Sequence, residues 1–111
     1  ALAASPDRSL IAVGGDDMMV RVYEAGTLKE LHRFRCHDNR VTALAFHPKL
    51  PQLATGSSDR TVKVWDYATA DLKHQFVGLP GMVMSIAFNP EGRLLSVEGE
   101  GRYAHSSNST K

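Results

Sequence analysis

The 111-residue sequence predicts an all-β chain made of repeated, short, antiparallel strands, and three observations predict it. The sequence repeats with a period of 42: Pro6, Pro48 and Pro90 recur at that spacing, and the same offset pairs Asp17 with Asp59, Gly14 with Gly56, Tyr23 with Trp65, Val41 with Val83 and Phe46 with Phe88. A fixed period of this size marks an array of stacked structural units. Within each period the apolar stretches are short, β-branched or aromatic, and bounded by turn formers, which is the pattern of strands and calls for no helix. Finally, Val41-Thr42-Ala43-Leu44-Ala45-Phe46 is apolar on both faces, so that strand is expected to be covered on both sides.

The middle unit defines its elements in order. Strands are predicted over 41–46, 52–56, 62–66 and 72–77. Pro48 and Pro51 cannot donate to a ladder, so the first turn falls at 47–51. Ser57-Ser58-Asp59-Arg60 forms the second turn, where a short carboxylate can bond nearby amides. The third lies at 67–71. Four short strands in every ~40 residues, with the innermost buried between neighbours, suit sheets stacked face to face around an axis: the blades of a β-propeller.

Composition narrows the class of protein. At 42% hydrophobic and 23% charged residues the chain is an ordinary packing sequence, and its length allows one domain. A formal net charge of +1 offers no global field for nucleic acid or anionic membrane. The single cysteine, Cys36, rules out an internal disulfide and points to a reducing compartment, with a cytoplasmic setting expected and cytoskeletal, ciliary or nuclear ones open. No secretory leader or apolar run long enough for a membrane span is visible.

The middle unit also carries a family signature: Cys36-His37, the first strand, His47-Pro48, then Leu53-Ala54-Thr55-Gly56-Ser57-Ser58-Asp59-Arg60 and Val62-Lys63-Val64-Trp65-Asp66. It resembles the WD40 repeat, lacking only the glycine that usually precedes the histidine. The resemblance extends over residues 1 to about 97 and implies a partial propeller arc. Blade one covers about 1–34, blade two about 35–77, and a partial blade three about 78–97, followed by a polar tail over 98–111 expected to be disordered. About two and a half repeats cannot close a ring of about four to eight blades, so the chain reads as a piece of a longer protein.

The resemblance further implies a buried hydrogen-bonded set of His37, Thr55, Asp59 and Trp65. In the first unit Val13 and Tyr23 replace the hydroxyl residue and the tryptophan. In the third, Gly101 and Ser107 stand at the Asp and Trp positions, and the blade is expected to stop after two strands. The resemblance also places the loop before the first strand and the turn between the second and third on one rim used for partners. That rim would hold Asp16, Met18, Asn39, Arg40, Ser58, Arg60 and Met82.

No catalytic, cofactor or metal constellation emerges. Cys36-His37 with Asp59 imitates a thiol, base and orienting carboxylate, but the histidine is taken by the buried set and adjacent strand residues face opposite ways. The other histidines show no ligand spacing, and the glycine pairs lack the residues of a phosphate loop. The expected function is therefore a non-catalytic scaffold that docks proteins through its loop rim, without a small-molecule substrate. Two alternatives stay open: a substrate receptor of a cullin–RING ubiquitin ligase, although Trp65-Asp66-Tyr67-Ala68 lacks the arginine common there, and a binder of nucleic acid or lipid head groups, for which Arg33-Phe34-Arg35 is the one local hint, with nucleic acid disfavoured by the near-neutral charge.

Overall fold

The computed structural model describes residues 1–77, 79, 81–98 and 104–108. Among them are eleven strands and no helix: β1 Leu2–Ala4, β2 Leu10–Gly14, β3 Met19–Glu24, β4 Glu30–Arg35, β5 Val41–Phe46, β6 Gln52–Ser57, β7 Val62–Asp66, β8 Asp71–Phe76, β9 Val83–Phe88, β10 Arg93–Glu98 and β11 Ala104–Asn108. They form three antiparallel sheets in the orders β1-β2-β3-β4, β5-β6-β7-β8 and β9-β10-β11. Strands consecutive in sequence are neighbours in space, as a meander of hairpins requires.

The repeat survives as geometry. Pro6, Pro48 and Pro90 all lie in the turn joining the first and second strands of their sheets. Met18 and Arg60 share a φ of 67°, and Leu28 and Ala70 share values of 59° and 64°, so the same left-handed corners recur 42 residues apart without glycine. The residue heading the first turn changes identity but keeps its task of satisfying turn amides. Ser5 Oγ accepts from Leu10 N–H at 3.0 Å, His47 Nδ1 from Lys49 and Leu50 N–H at 3.0 Å each, and Asn89 Oδ1 from Glu91 and Arg93 N–H at 3.1 and 2.9 Å.

The middle sheet is covered on both faces. Leu44, Phe46 and Leu53 pack with Ala12, Val20 and Val22 of the first sheet, while Ala43, Ala54, Val62 and Val64 pack with Val83, Ile86 and Leu94 of the third. Burial alternates along β6 and β7 between the two interfaces, the period-two rule of a pleated strand. The outer strand β8 is largely exposed, with Leu72 at 42%. Close stacking depends on two glycines. A Cβ on Gly14 would stand 2.6 Å from Val41 Cγ1, and one on Gly56 2.5 Å from Val83 Cγ1 and 2.8 Å from Ile86 Cδ1.

Two expectations are corrected. The third unit does not stop after two strands, because β11 pairs with β10 over Arg93↔Asn108 to Val97↔Ala104 inside the run expected to be disordered. A ladder is held by main-chain donors and acceptors, so a polar stretch can extend an existing edge without apolar content. This register puts Ser107 opposite Leu94, as Trp65 stands opposite Leu53. The fixed period of 42 also breaks at the third corner. Leu94 pairs with Phe88, whereas the equivalent Phe46 pairs with Leu53, so that turn is one residue shorter. Its Gly92, at φ 86°, supplies the tight left-handed position. Smaller differences fall at strand ends, with β6 reaching Ser57 and β8 running from Asp71 to Phe76. Residues 99–103, including Gly101, lie outside the described residues.

Candidate protein-interaction site

Because each sheet is antiparallel, the approach to its first strand and the turn between its second and third strands lie at one end. Asp16 and Met18 sit in the β2–β3 turn, Asn39 and Arg40 just before β5, Ser58 and Arg60 in the β6–β7 turn, and Met82 just before β9. Asp16, Asn39, Arg40 and Arg60 are exposed; Met18, Ser58 and Met82 are half-buried.

The loops at this end are tied together. Arg40 Nε donates to Ser58 Oγ at 3.2 Å, and Ser58 N–H to Arg40 O at 3.3 Å. Val41 N–H reaches back to Gly15 O at 3.0 Å, Cys36 N–H to Met18 O at 3.1 Å, and Leu79 N–H to Arg60 O at 3.3 Å, so each turn is stitched to the next unit's approach. Asp16 and Met82 make no side-chain hydrogen bond to a described residue.

Beneath these loops lies the buried set. His37 Nδ1 is 2.9 Å from Asp59 Oδ2, His37 Nε2 is 2.7 Å from Thr55 Oγ1, and Trp65 Nε1–H donates to Thr55 Oγ1 at 3.0 Å. One proton arrangement satisfies all of them: the indole donates to the threonine, the threonine to the imidazole, and the imidazole to the carboxylate. Thr55 is fully buried and His37 nearly so. The Trp65 ring also meets Phe34 of β4 at 5.2 Å, carrying the set across to the first sheet.

Two members were not anticipated from sequence. Thr61 donates its hydroxyl to Asp59 Oδ1 at 2.5 Å, lies 3.0 Å from His37 Nδ1, and gives its N–H to the same carboxylate oxygen at 3.0 Å. Fully buried Ser57 donates to Arg40 O at 2.8 Å and accepts Asp59 N–H at 3.1 Å, linking the set to the rim. The available signal was Asp59-Arg60-Thr61, a carboxylate two residues before a hydroxyl residue at a turn. The first unit has a reduced version. Asp17 Oδ1 accepts Met19 N–H at 3.2 Å, and its other oxygen takes an exposed ion pair with Arg21 at 2.7 Å.

Electrostatics follow burial. Burial pushes the His37 imidazole below its ordinary range, and the attraction of Asp59 offsets this only in part. Burial would raise the Asp59 carboxyl, but the Thr61 hydroxyl, His37 and Asp38 N–H outweigh it and hold it below the usual carboxylate range. Burial and the Lys49 charge likewise lower His47. Both imidazoles bind protons less readily folded than unfolded, so their contribution to stability is complete above about pH 6.5 and is lost as pH falls below it. Thermal midpoints should drop between about pH 7.5 and about pH 5.5, and His47→Asn, which keeps an acceptor at the corner, should remove part of that drop. A flat midpoint over this interval would contradict the neutral assignment.

No reactive pair forms from Cys36 and His37. The thiol is buried, turned toward Met18 O at 3.6 Å, and pushed up to about 12 by that burial. No group of three potential metal ligands occurs among the described residues, and they contain no helix long and apolar enough to cross a membrane. Arg33 is paired with Glu30 at 3.0 Å and Arg35 with Asp38 at 3.7 Å, which partly neutralises the basic cluster around Phe34.

Stacked antiparallel blades, close-packed through glycines and pinned by a buried histidine–carboxylate set, define a propeller-type repeat protein. The chain belongs to the WD40 repeat family: the family model described as "WD domain, G-beta repeat" matches residues 1–24 and 28–66. Among solved structures, the WD40 repeats of RRP9 superimpose with a TM-score of 0.86 at 26% identity, over 95% of this chain and 32% of that one. The structure of U3-55K gives a TM-score of 0.88 at 25% identity, over 96% and 33%. A curated Danio rerio protein, "p21-activated protein kinase-interacting protein 1-like", is 50% identical over 36 residues, 32% of this chain and 10% of that protein. The chain thus spans about a third of the solved chains it matches.

Proposed function

We propose that this chain is a non-catalytic interaction scaffold, cytoplasmic in setting, which contributes blades of a WD40 propeller and docks protein partners through the rim formed by Asp16, Met18, Asn39, Arg40, Ser58, Arg60 and Met82. The observation that carries this reading is the bonding of the rim to the buried set through Ser57, which spans Arg40 O and Asp59 N–H. Loops held this way are pre-organised, so little ordering entropy opposes association. Exposed Arg40 and Arg60 are side chains suited to interface contacts. The kinase-interacting name of the Danio rerio relative agrees with a protein-binding role.

Replacing Arg40 and Arg60 together with alanine tests this rim. Both are exposed, and the fold should keep its thermal midpoint, because surface substitutions stay within about 0.5 kcal/mol. Quantitative pull-down should show a subset of partners lost relative to the parent. An unchanged partner list would discard the rim assignment.

A further inference from the structure

At the end of the blades away from this rim, the first turns of the first two sheets stand side by side and form an open groove of about 320 Å³. Its walls include Pro6, Pro48 and Pro51, whose fixed φ makes them rigid. Tyr67, just after β7, lines the same groove. Its ring is held edge-on to Phe46 at 5.7 Å and tilted to His32 at 5.9 Å, while its hydroxyl makes no hydrogen bond to a described residue.

Asp7 lines the groove as well. Its Oδ1 takes three donors, Ser5 Oγ at 2.8 Å, Ser9 N–H at 3.0 Å and Ser9 Oγ at 2.8 Å. Its Oδ2 has no donor among the described residues. The Ser9 backbone and the two serine hydroxyls hold the carboxyl down to about 2, so it stays ionised throughout the physiological range. Burial first, then the Asp7 and Asp66 charges, raise the Tyr67 hydroxyl, a sign that carboxylate and phenol share one neighbourhood. The groove therefore offers a rigid aromatic surface, an unpaired anionic oxygen and a free hydroxyl.

We propose that this groove is a docking site for the arginine side chain of an extended segment of a partner protein, its guanidinium stacked on the Tyr67 ring and its N–H groups donating to Asp7 Oδ2. An anionic ligand meets a permanent carboxylate. An apolar one would desolvate that carboxylate without replacing its water hydrogen bonds. A planar guanidinium both stacks on an aromatic face and donates in a fork, which an ammonium does not. Lys49 is exposed on the same groove and is the one cationic lining residue described, so it opposes the ligand.

The probe is a fluorescein-labelled pentapeptide with one arginine between prolines, compared with versions carrying neutral, near-isosteric citrulline and lysine. Fluorescence anisotropy should show the arginine peptide binding about tenfold tighter than the citrulline peptide. Amide shifts should be confined to residues 5–10, 46–52 and 67. Asp7→Asn, which keeps the Oδ1 acceptor of the turn, should remove the difference between the two peptides, and Lys49→Ala should tighten the arginine peptide. Equal affinity for arginine and citrulline, no binding, or shifts mapping elsewhere would overturn the proposal, and these readouts on the parent decide it even if Asp7→Asn misfolds. Equal affinity for lysine would overturn the guanidinium assignment. The rim reading stands or falls separately, since neither Arg40 nor Arg60 lines this groove.

Discussion

Asp59→Ala should destabilise the chain by about 3 kcal/mol, lowering its thermal midpoint by more than about 10 °C. The carboxylate receives His37 Nδ1 at 2.9 Å, Asp38 N–H at 3.2 Å, and both the hydroxyl and N–H of Thr61. Alanine strands these donors together. The His37 ring is nearly inaccessible, and a buried donor without a partner costs its full desolvation. The unit-one counterpart offers the control. Asp17→Ala removes an exposed pair with Arg21 and should change the midpoint little. Equal responses at Asp59 and Asp17, read by thermal unfolding, would mean that the buried set contributes no more than a surface ion pair.

Gly56→Val is expected to be comparably severe, about 3 kcal/mol, for a steric rather than a polar reason. A Cβ at this position would lie 2.9 Å from Val83 Cβ as well as against Val83 Cγ1 and Ile86 Cδ1. A rotamer change can move the Cγ1 atom, but Val83 Cβ is fixed to β9, so relief requires the third sheet to shift from the second. The loss should therefore concentrate in the third sheet, where amide exchange of Val83–Phe88 should accelerate more than that of Val41–Phe46. Gly15→Ala is the matched control, since nothing lies within 4 Å of an added Cβ there. Uniform acceleration across all three sheets, or none, would refute the assignment of Gly56 to the inter-sheet contact.

Much of this architecture could be read in the residues themselves, and the reason is physical. A strand covered on both faces must be apolar at successive positions, and Val41 to Phe46 shows that directly. Prolines cannot serve central ladders, so Pro6, Pro48 and Pro90 marked the corners. The His37, Thr55, Asp59 and Trp65 geometry was reachable only through family resemblance, because its members are up to 28 positions apart in sequence and nothing local forces them together. Thr61 and Ser57 escaped notice because turn hydroxyls are common and their partners are set by tertiary approach. β11 escaped for a different reason: pairing by main-chain bonds leaves little trace in side-chain chemistry, so polarity was a poor guide to whether 104–108 would join the sheet. The Asp7–Tyr67 groove involves residues sixty positions apart on adjacent blades, a juxtaposition invisible to a one-unit reading.

The three first corners, headed by Ser5, His47 and Asn89, use different capping atoms and the third is one residue shorter than the other two, yet the strands on either side remain stacked. Slack in the polypeptide is taken up there. Each hairpin resets alignment for its own blade, so an added or missing residue at such a bend is absorbed locally instead of propagating along the array. The architecture thereby tolerates length variation where its hairpins turn and forbids extra bulk where Gly14 and Gly56 meet the neighbouring blade.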